Sequence, residues 1–395
     1  MTARPKLRIH PKHGARIRSG SPWVYSNEIV MDKASKALAP GTLVEIVDDK
    51  EGRFGTAYFN PHSLIAARIL SPKLGAKVDA EFFRERFERA RALREKLFAE
   101  PFYRLIHAEA DFCPGLVVDR FDDVLVAQSG TAGMDALAPI WLEALRAEFS
   151  PRAVVVKSNS PSRAHEGLKD DVRIAHGDLA SPAHVQEAGI RHRIDALAGQ
   201  KTGWFYDQRD NRAFLIALAK TATILDAFSY TGALALGTLK AGAKSAVLLD
   251  SSQSALDAAA ATARDYDLSG RTEFRRCDVL VELEELMPAG ERYDIVSCDP
   301  PPFVRSKKDL ESGARGYRKL AKLAAPLVTP GGFLCLASCS HGIGADRFQQ
   351  ECAMGISRAG RPARLIRAAG ASPDHPVHPL LPETAYLKSL VYQLD

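Results

Sequence analysis

Four aspartates, Asp226, Asp250, Asp278 and Asp299, recur in the C-terminal half of the chain, each at or just past the end of a short apolar run. Carboxylates in series at strand ends can accept hydrogen bonds from the hydroxyl and amino groups of a bound nucleoside. Asp250 closes Ala246-Val-Leu-Leu249 and is placed to accept both ribose hydroxyls; Asp278 follows Phe274-Arg-Arg-Cys277 and could accept from an adenine amino group. Either one alone could equally be a helix N-cap, and it is their company that favours a groove. A further run, Gly332-Phe-Leu-Cys-Leu-Ala-Ser338, delivers Cys339 to the loop after it, beside Ser340 and His341, whereas Cys335 falls within the run as a core residue.

Asp299 is followed by Pro300, Pro301 and Pro302. Each proline locks its own φ and restricts the residue before it, so the acid and the carbonyls beside it project rigidly from the strand end. Such D-P-P turns are typical of methyltransferases acting on amino groups or bases of nucleic acids. The other informative turn is Ala222-Thr-Ile-Leu-Asp-Ala-Phe-Ser-Tyr-Thr-Gly232: a short strand closed by Asp226, then a polar turn opening a helix at Gly232. This is the grammar of a nucleotide-binding βα turn without its G-x-G-x-x-G fingerprint. A ligand lacking phosphate, such as S-adenosylmethionine, therefore fits better than a dinucleotide.

The elements that must position these residues follow a strict alternation. Strands are predicted at 222–226, 244–250, 272–276, 293–298 and 332–338, with helices near 232–242, 253–266, 279–287 and 311–326. Repeated βα units imply an α/β fold with a parallel sheet covered on both faces, and ligands beyond the carboxyl ends of its strands. Upstream, short strand-like runs at 23–25, 42–47, 55–59 and 64–70 predict a small barrel-like β module, with Trp23 and Tyr25 as core or base-stacking aromatics. Asp79 reads as the N-cap of an amphipathic helix carrying Phe83, Phe87, Ala90, Leu93 and Leu97. Strands at 115–118, 124–127, 153–156 and 172–174 with a helix near 136–149 predict a central α+β domain, in which His107, Glu109 and Asp111 are structural or surface residues. The expected division is 1–75, 76–195 and 196–395.

Composition bounds the reading. With 395 residues, 46% hydrophobic and 26% charged, the chain has ordinary globular composition and room for more than one domain. No run approaches the roughly 20 apolar residues of a membrane span, and the N-terminal residues lack an apolar signal core, so a cytoplasmic protein without a membrane partner is expected. Six cysteines without a C-x-x-C pair read as reduced thiols, and no metal is expected. The net charge of +5 is modest, yet Arg4, Lys6, Arg8, Lys12, Arg16 and Arg18 fall in the first 18 residues with no acid among them. That suits a polyphosphate partner such as RNA, although a solubilising tail would look the same.

These motifs resemble those of the RlmI-type 23S ribosomal RNA cytosine-5 methyltransferases, over essentially the full length. The resemblance is carried by Ser21-Pro-Trp-Val-Tyr25, Tyr58-Phe-Asn-Pro61, Pro114-Gly-Leu-Val-Val-Asp-Arg120, Lys201-Thr-Gly-Trp-Phe-Tyr-Asp-Gln-Arg209, Asp226-Ala-Phe-Ser-Tyr-Thr-Gly232, Asp299-Pro-Pro301, Ser338-Cys-Ser340 and Asp374-His-Pro-Val377. It implies a PUA domain, a central α+β domain and a C-terminal Rossmann-like class I methyltransferase domain using S-adenosylmethionine. By resemblance Asp207, Gln208 and Arg209 border the cofactor site, and the turn from Asp226 through Phe228, Ser229 and Tyr230 to Gly232 wraps the methionine portion. Asp250, with Ser251 beside it, holds the ribose; Asp278 faces the adenine. Cys339 would be the nucleophile that adds to cytosine C6, and Asp299, which also borders the cofactor, would hydrogen-bond the base. Pro302 stands where relatives often carry Lys, and Pro301 where other cytosine-5 subfamilies carry a second Cys, so a one-cysteine mechanism is expected, with His341 as a candidate base. The implied partner is 23S ribosomal RNA, and the assembly could be a homodimer. Two alternatives stay open at this stage: methylation of a guanine nitrogen or another base, and a non-catalytic RNA-binding assembly factor.

Overall fold

The computed structural model describes residues 4–48 and 53–395. The chain divides into two compact units, one of Met1–His184, Ile194–Trp204 and Pro373–Pro382, the other of Val185–Arg193, Phe205–Ser372 and Glu383–Asp395.

In the first unit, a five-stranded sheet runs in the order Lys6–Arg8, Thr42–Val47, Arg53–Phe59, Ala67–Ser71, Trp23–Val24. Only the first pair is parallel. Leu7, Ile9, Val24, Ile46, Phe54 and Phe59 bury one face together. A second sheet sets Phe102–His107, Leu116–Phe121, Val124–Ser129, Ala153–Ser158 and Asp171–Gly177 side by side in chain order. Helices Ala80–Leu97 and Ala138–Phe149 cover it with Phe83, Phe87, Trp141 and Leu145. Asp79 accepts from the Phe82 N–H at 3.0 Å, the N-cap expected from the sequence and a contribution of about 1 kcal/mol.

Residues on both sides of position 75 share this packing. Tyr58 lies in the second core, and its hydroxyl donates to the Pro114 carbonyl at 2.9 Å. Gly133 makes room for it, since a Cβ there would meet the Tyr58 ring at 2.0 Å. Glu166 accepts from Asn60 Nδ2 at 2.9 Å, Ser63 Oγ at 2.8 Å and Arg68 Nη1 at 3.1 Å. Trp23 is half-buried and donates its Nε1–H to Glu109 at 2.9 Å, which engages one of the acids read as structural.

The second unit is built on a seven-stranded sheet. In chain order its strands are Thr223–Ala227, Ser245–Asp250, Thr272–Arg276, Tyr293–Cys298, Val328–Ser338, Ala363–Ala369 and Lys388–Leu394, and across the sheet they run third, second, first, fourth, fifth, seventh, sixth. The first five are parallel, and the seventh is antiparallel to both neighbours. Alternation sorts their side chains to two cores. Leu225, Val247, Val296 and Leu336 face one, with Tyr317 and Phe348 from helices Leu310–Ala324 and Ala345–Arg358. Ile224, Leu248, Ile295 and Cys335 face the other, with Leu236 and Leu256 from helices Ala233–Lys240 and Gln253–Asp265. Burial on both faces is why these strands read as continuous apolar runs. Strand order reverses at the first strand, so the crevice between the carboxyl ends of the first and fourth strands is the switch point where such sheets bind ligands. Ala227 and Cys298 are register partners there, which sets Asp226 and Asp299 on adjoining strand ends.

Candidate active site

The turn after the first strand is held in an uncommon backbone conformation. Phe228 (φ 62°), Tyr230 (φ 51°) and Gly232 (φ 73°) are all left-handed, alternating with Ser229 and Thr231. Two aromatic residues at positive φ are costly, and such conformations persist where the surroundings over-determine them. The tethers are visible: Ser229 N–H donates to the Leu249 carbonyl at 3.0 Å, Tyr230 N–H to Asp250 Oδ2 at 2.8 Å, and Gly232 N–H to the Ser229 carbonyl at 2.9 Å. Phe205 packs edge-on against Tyr230, with ring centroids 5.3 Å apart. The hydroxyls of Ser229 and Thr231 are buried and make no hydrogen bond among the described residues.

The acids surround this turn. Asp226 is buried, and its Oδ2 accepts from the Ala235 N–H at 3.2 Å in the first turn of the following helix. Burial lifts its carboxyl to about 7, against the pull of the Ala235 N–H and with a further push from Asp299. Asp250 accepts from Tyr230 N–H on one oxygen and from Ser252 N–H on the other, both at 2.8 Å, which leaves each oxygen a second lone pair. Ser251 beside it is exposed. Asp278 caps helix Val279–Leu286, its Oδ1 accepting from Leu280 N–H at 3.0 Å. The N-cap reading thus holds for Asp278, and its second oxygen is compatible with the adenine-facing role.

The segment Asp207–Arg209 lies across both halves of the site. Gln208 donates from Nε2 to Asp299 Oδ2 at 2.8 Å and accepts at Oε1 from Asn211 Nδ2 at 2.8 Å. Asp207 accepts from the Tyr386 hydroxyl at 2.6 Å, and the Tyr386 ring lies 5.2 Å from that of His341. Arg209 opens helix Arg209–Ala217 and sets its guanidinium 4.9 Å from the Tyr206 ring centre. Behind them, Arg212 pairs with Glu187 through Nε at 2.5 Å and Nη2 at 2.7 Å and donates to the Phe205 carbonyl at 3.0 Å. Burial works against the charge on Arg212, but Glu187, Asp207 and Asp299 together outweigh it. A buried cation therefore balances the acids of the site.

Cys339 follows the fifth strand directly and is half-buried, unlike Cys298 and Cys335, which are buried in the sheet. Ser338 and Ser340 on either side bond through their hydroxyls to Tyr317 Oη at 2.8 and 2.7 Å, and Val304 N–H donates to Ser340 Oγ at 3.2 Å. Burial of Cys298, Cys335 and Cys352 raises their thiols above the ordinary value. Pro301 occupies the place after the Asp299-Pro pair, and of the two half-buried thiols at strand ends Cys277 follows the third strand while Cys339 follows the fifth, next to the strand that leads to Asp299.

A PUA-like domain model matches residues 7–72, and a model of the S-adenosylmethionine-dependent methyltransferases matches residues 167–392. The chain is 35% identical over 395 residues to the ribosomal RNA large subunit methyltransferase I of Shewanella denitrificans, with 98% of each chain covered. It belongs to that methyltransferase family. The Vibrio cholerae member is also 35% identical and covers 94% of this chain and 95% of its own. Among solved structures, a putative S-adenosylmethionine-dependent methyltransferase from Streptococcus mutans matches with a TM-score of 0.82 at 19% identity, covering 98% of this chain and 100% of the other. A putative methyltransferase solved with SAH gives 0.84 at 19% identity, with the same coverage. At that identity the likeness speaks to the fold.

The residues of this methyltransferase fit the cofactor. Among the described residues Ser229 and Thr231 offer buried hydroxyls with open hydrogen-bonding capacity, and Asp250 keeps lone pairs free on both carboxylate oxygens. Asp207, Gln208, Asp226 and Asp299 are brought together with the turn, whereas Ser251 and Asp278 stand toward the second and third strands. Spacing did not single out Glu187, Tyr317 or Tyr386. Tyr317 and Tyr386 hydrogen-bond motif residues distant in sequence, and Glu187 holds Arg212 behind the motif. Among the described residues no group of three or more His, Cys, Asp or Glu side chains is arranged to hold a metal, and no helix is long and apolar enough to cross a membrane.

Proposed function

We propose that this protein methylates C5 of a cytosine in large-subunit ribosomal RNA, with Cys339 as the covalent nucleophile. The observation that carries the reading is the position of the half-buried Cys339 at the end of the fifth strand, beside the strand that ends in Asp299, on the sheet edge that also carries the cofactor turn. S-adenosylmethionine bound at Asp207–Arg209 and the 226–232 turn supplies an electrophilic methyl group. C5 of cytosine is a poor carbon nucleophile until the C5–C6 double bond is opened. Thiolate addition to C6 does this, and Asp299, oriented by Gln208, hydrogen-bonds N3 or the amino group as charge develops on the ring. After C5 takes the methyl group, loss of the C5 proton to a base returns the electron pair to C5–C6 and expels the Cys339 thiolate. The target base has to leave its stack, which suits single-stranded or loop RNA, and a ribosomal RNA substrate agrees with a cytoplasmic site of action. The basic residues 4–18 and the PUA-like module would hold the RNA, and the functional division 1–75, 76–195 and 196–395 belongs to the same reading.

Cys339→Ala is expected to abolish methyl transfer to ribosomal RNA while SAH binding by calorimetry stays within about twofold. RNA carrying 5-fluorocytosine at the target should form a denaturation-stable adduct with the wild-type chain and none with the variant. Full activity of the variant would refute the covalent reading and leave a nitrogen or another base as acceptor.

A further inference from the structure

We propose that Lys388 is a positioning residue for Cys339: its ammonium pins the backbone of the cysteine loop and serves as the counter-charge that keeps the thiol ionised. The inference rests on the reading of Cys339 as nucleophile but is separable from it by experiment. Lys388 opens the seventh strand and is the register partner of Ser338, directly across the antiparallel ladder from the residue before Cys339. Its side chain is 7% exposed, and Nζ donates to the Ser340 carbonyl at 2.5 Å and to the Tyr386 carbonyl at 2.7 Å. Both acceptors are neutral. Among the described residues no carboxylate forms an ion pair with Lys388, whereas Arg212, also buried in this unit, pairs with Glu187.

An ammonium taken out of water without a counter-ion is costly by several kcal/mol, and an ammonium has three N–H donors, of which two go to the carbonyls. Cys339 is the group whose charge would offset that cost. Burial pushes Lys388 down to about 8, and Cys339 is the one neighbour that acts in the opposite direction. Below that value Lys388 is cationic, so the field at Cys339 favours the thiolate at neutral pH. The other titratable groups around the loop are engaged with other partners. Tyr317, from helix Leu310–Ala324, is a phenol raised by burial and committed to Ser338 and Ser340. Tyr386 donates to Asp207, His341 packs on Tyr386, and Asp299 ends the neighbouring strand as an acid. Among the described residues Lys388 is the lysine or arginine that bonds the backbone of the loop.

The test is the pH dependence of Cys339 alkylation by iodoacetamide, read by mass spectrometry in a Cys277→Ser background. The remaining cysteines, Cys113, Cys298, Cys335 and Cys352, are buried. The wild-type midpoint is expected at least one unit below the ordinary thiol value of about 8.5. Lys388→Met should raise it by about one unit or more, cutting the alkylation rate at pH 7 roughly tenfold, and Lys388→Arg should restore most of the shift. A purely structural lysine would lower methylation without moving the midpoint, and that result overturns the proposal. If Lys388→Met does not fold, a wild-type midpoint at or above about 8.5 overturns it instead. A low, Lys388-dependent midpoint in a chain whose Cys339→Ala variant still methylates would refute the nucleophile reading while leaving the pairing intact.

Discussion

Asp226 carries an energetic cost that the fold tolerates for the sake of the site. Its carboxyl is raised by burial to about 7 in the native state, while in the unfolded chain it ionises near the ordinary value of 3.8. Between those values the native chain keeps a proton that the unfolded chain has released, so the unfolded state binds fewer protons and stability falls as pH rises through the window, then levels off above it. Asp226→Asn removes the titration. It should raise the thermal unfolding midpoint most at pH 8, by a gain on the order of a few kcal/mol, and least near pH 4, while weakening SAH binding about tenfold or more. Equal gains at both pH values, measured by calorimetry, would show that the native carboxyl ionises normally. None of this was legible in the sequence. The spacing placed Asp226 at a strand end, but its raised carboxyl follows from the packing of Asp299 and Asp250 around a buried group. The same holds for Gln208: its contact with Asp299 joins residues 91 apart, and nothing in local pattern predicts it.

At the level of elements, the turn 226–232 is the part whose geometry is least replaceable. Gly232 sits at φ 73°, and a Cβ there would come within 2.6 Å of Leu248 Cδ2 and 3.2 Å of Ala259 Cβ. Gly232→Ala is therefore expected to cost about 1–3 kcal/mol in urea unfolding and to lower SAH affinity, because strain and displacement act on the same turn. An unchanged denaturation midpoint would mean that the turn relaxes freely. The five parallel strands and four of the helices were legible to within a few residues, since continuous apolar runs bounded by acids and Gly leave little ambiguity; the strand expected at 222–226 is Thr223–Ala227. What escaped has a physical reason. Lys6–Arg8 is three residues long with a single buried side chain, too short for any period to register. Strand Ala363–Ala369 is largely exposed and carries Arg364 and Arg367, and helix Ala345–Arg358 is mostly polar outside its buried stripe of Phe348, Cys352 and Ile356. Lys388–Leu394 begins on a charge that a strand buried on both sides would not be expected to hold.

On the scale of the whole molecule, Glu166 is the knot of the first unit. It gathers Asn60, Ser63 and Arg68 from the β module together with the Ala132 N–H of the second sheet's region. Burial opposes its charge, but Arg68 together with the Asn60, Ser63 and Ala132 donors more than offsets that, so its carboxyl lies below the ordinary value. Glu166→Ala strands the buried Arg68 and three further donors; a loss of about 3 kcal/mol or more in urea unfolding is expected, with Glu166→Gln intermediate. A change below about 0.5 kcal/mol would show that Glu109 suffices for Arg68. In the second unit, the seventh strand lies between the fifth and the sixth, although it is later in the chain than either. During vectorial synthesis the sixth strand thus emerges with no partner to pair with, and the edge of the fifth stays open until residues 388–394 arrive. The same late segment brings Lys388 and, just ahead of it, Tyr386. A nascent chain can complete the turn 226–232 before that segment has emerged, whereas the loop that carries Cys339 gains its Lys388 contact, and Asp207 its Tyr386 partner, only afterwards.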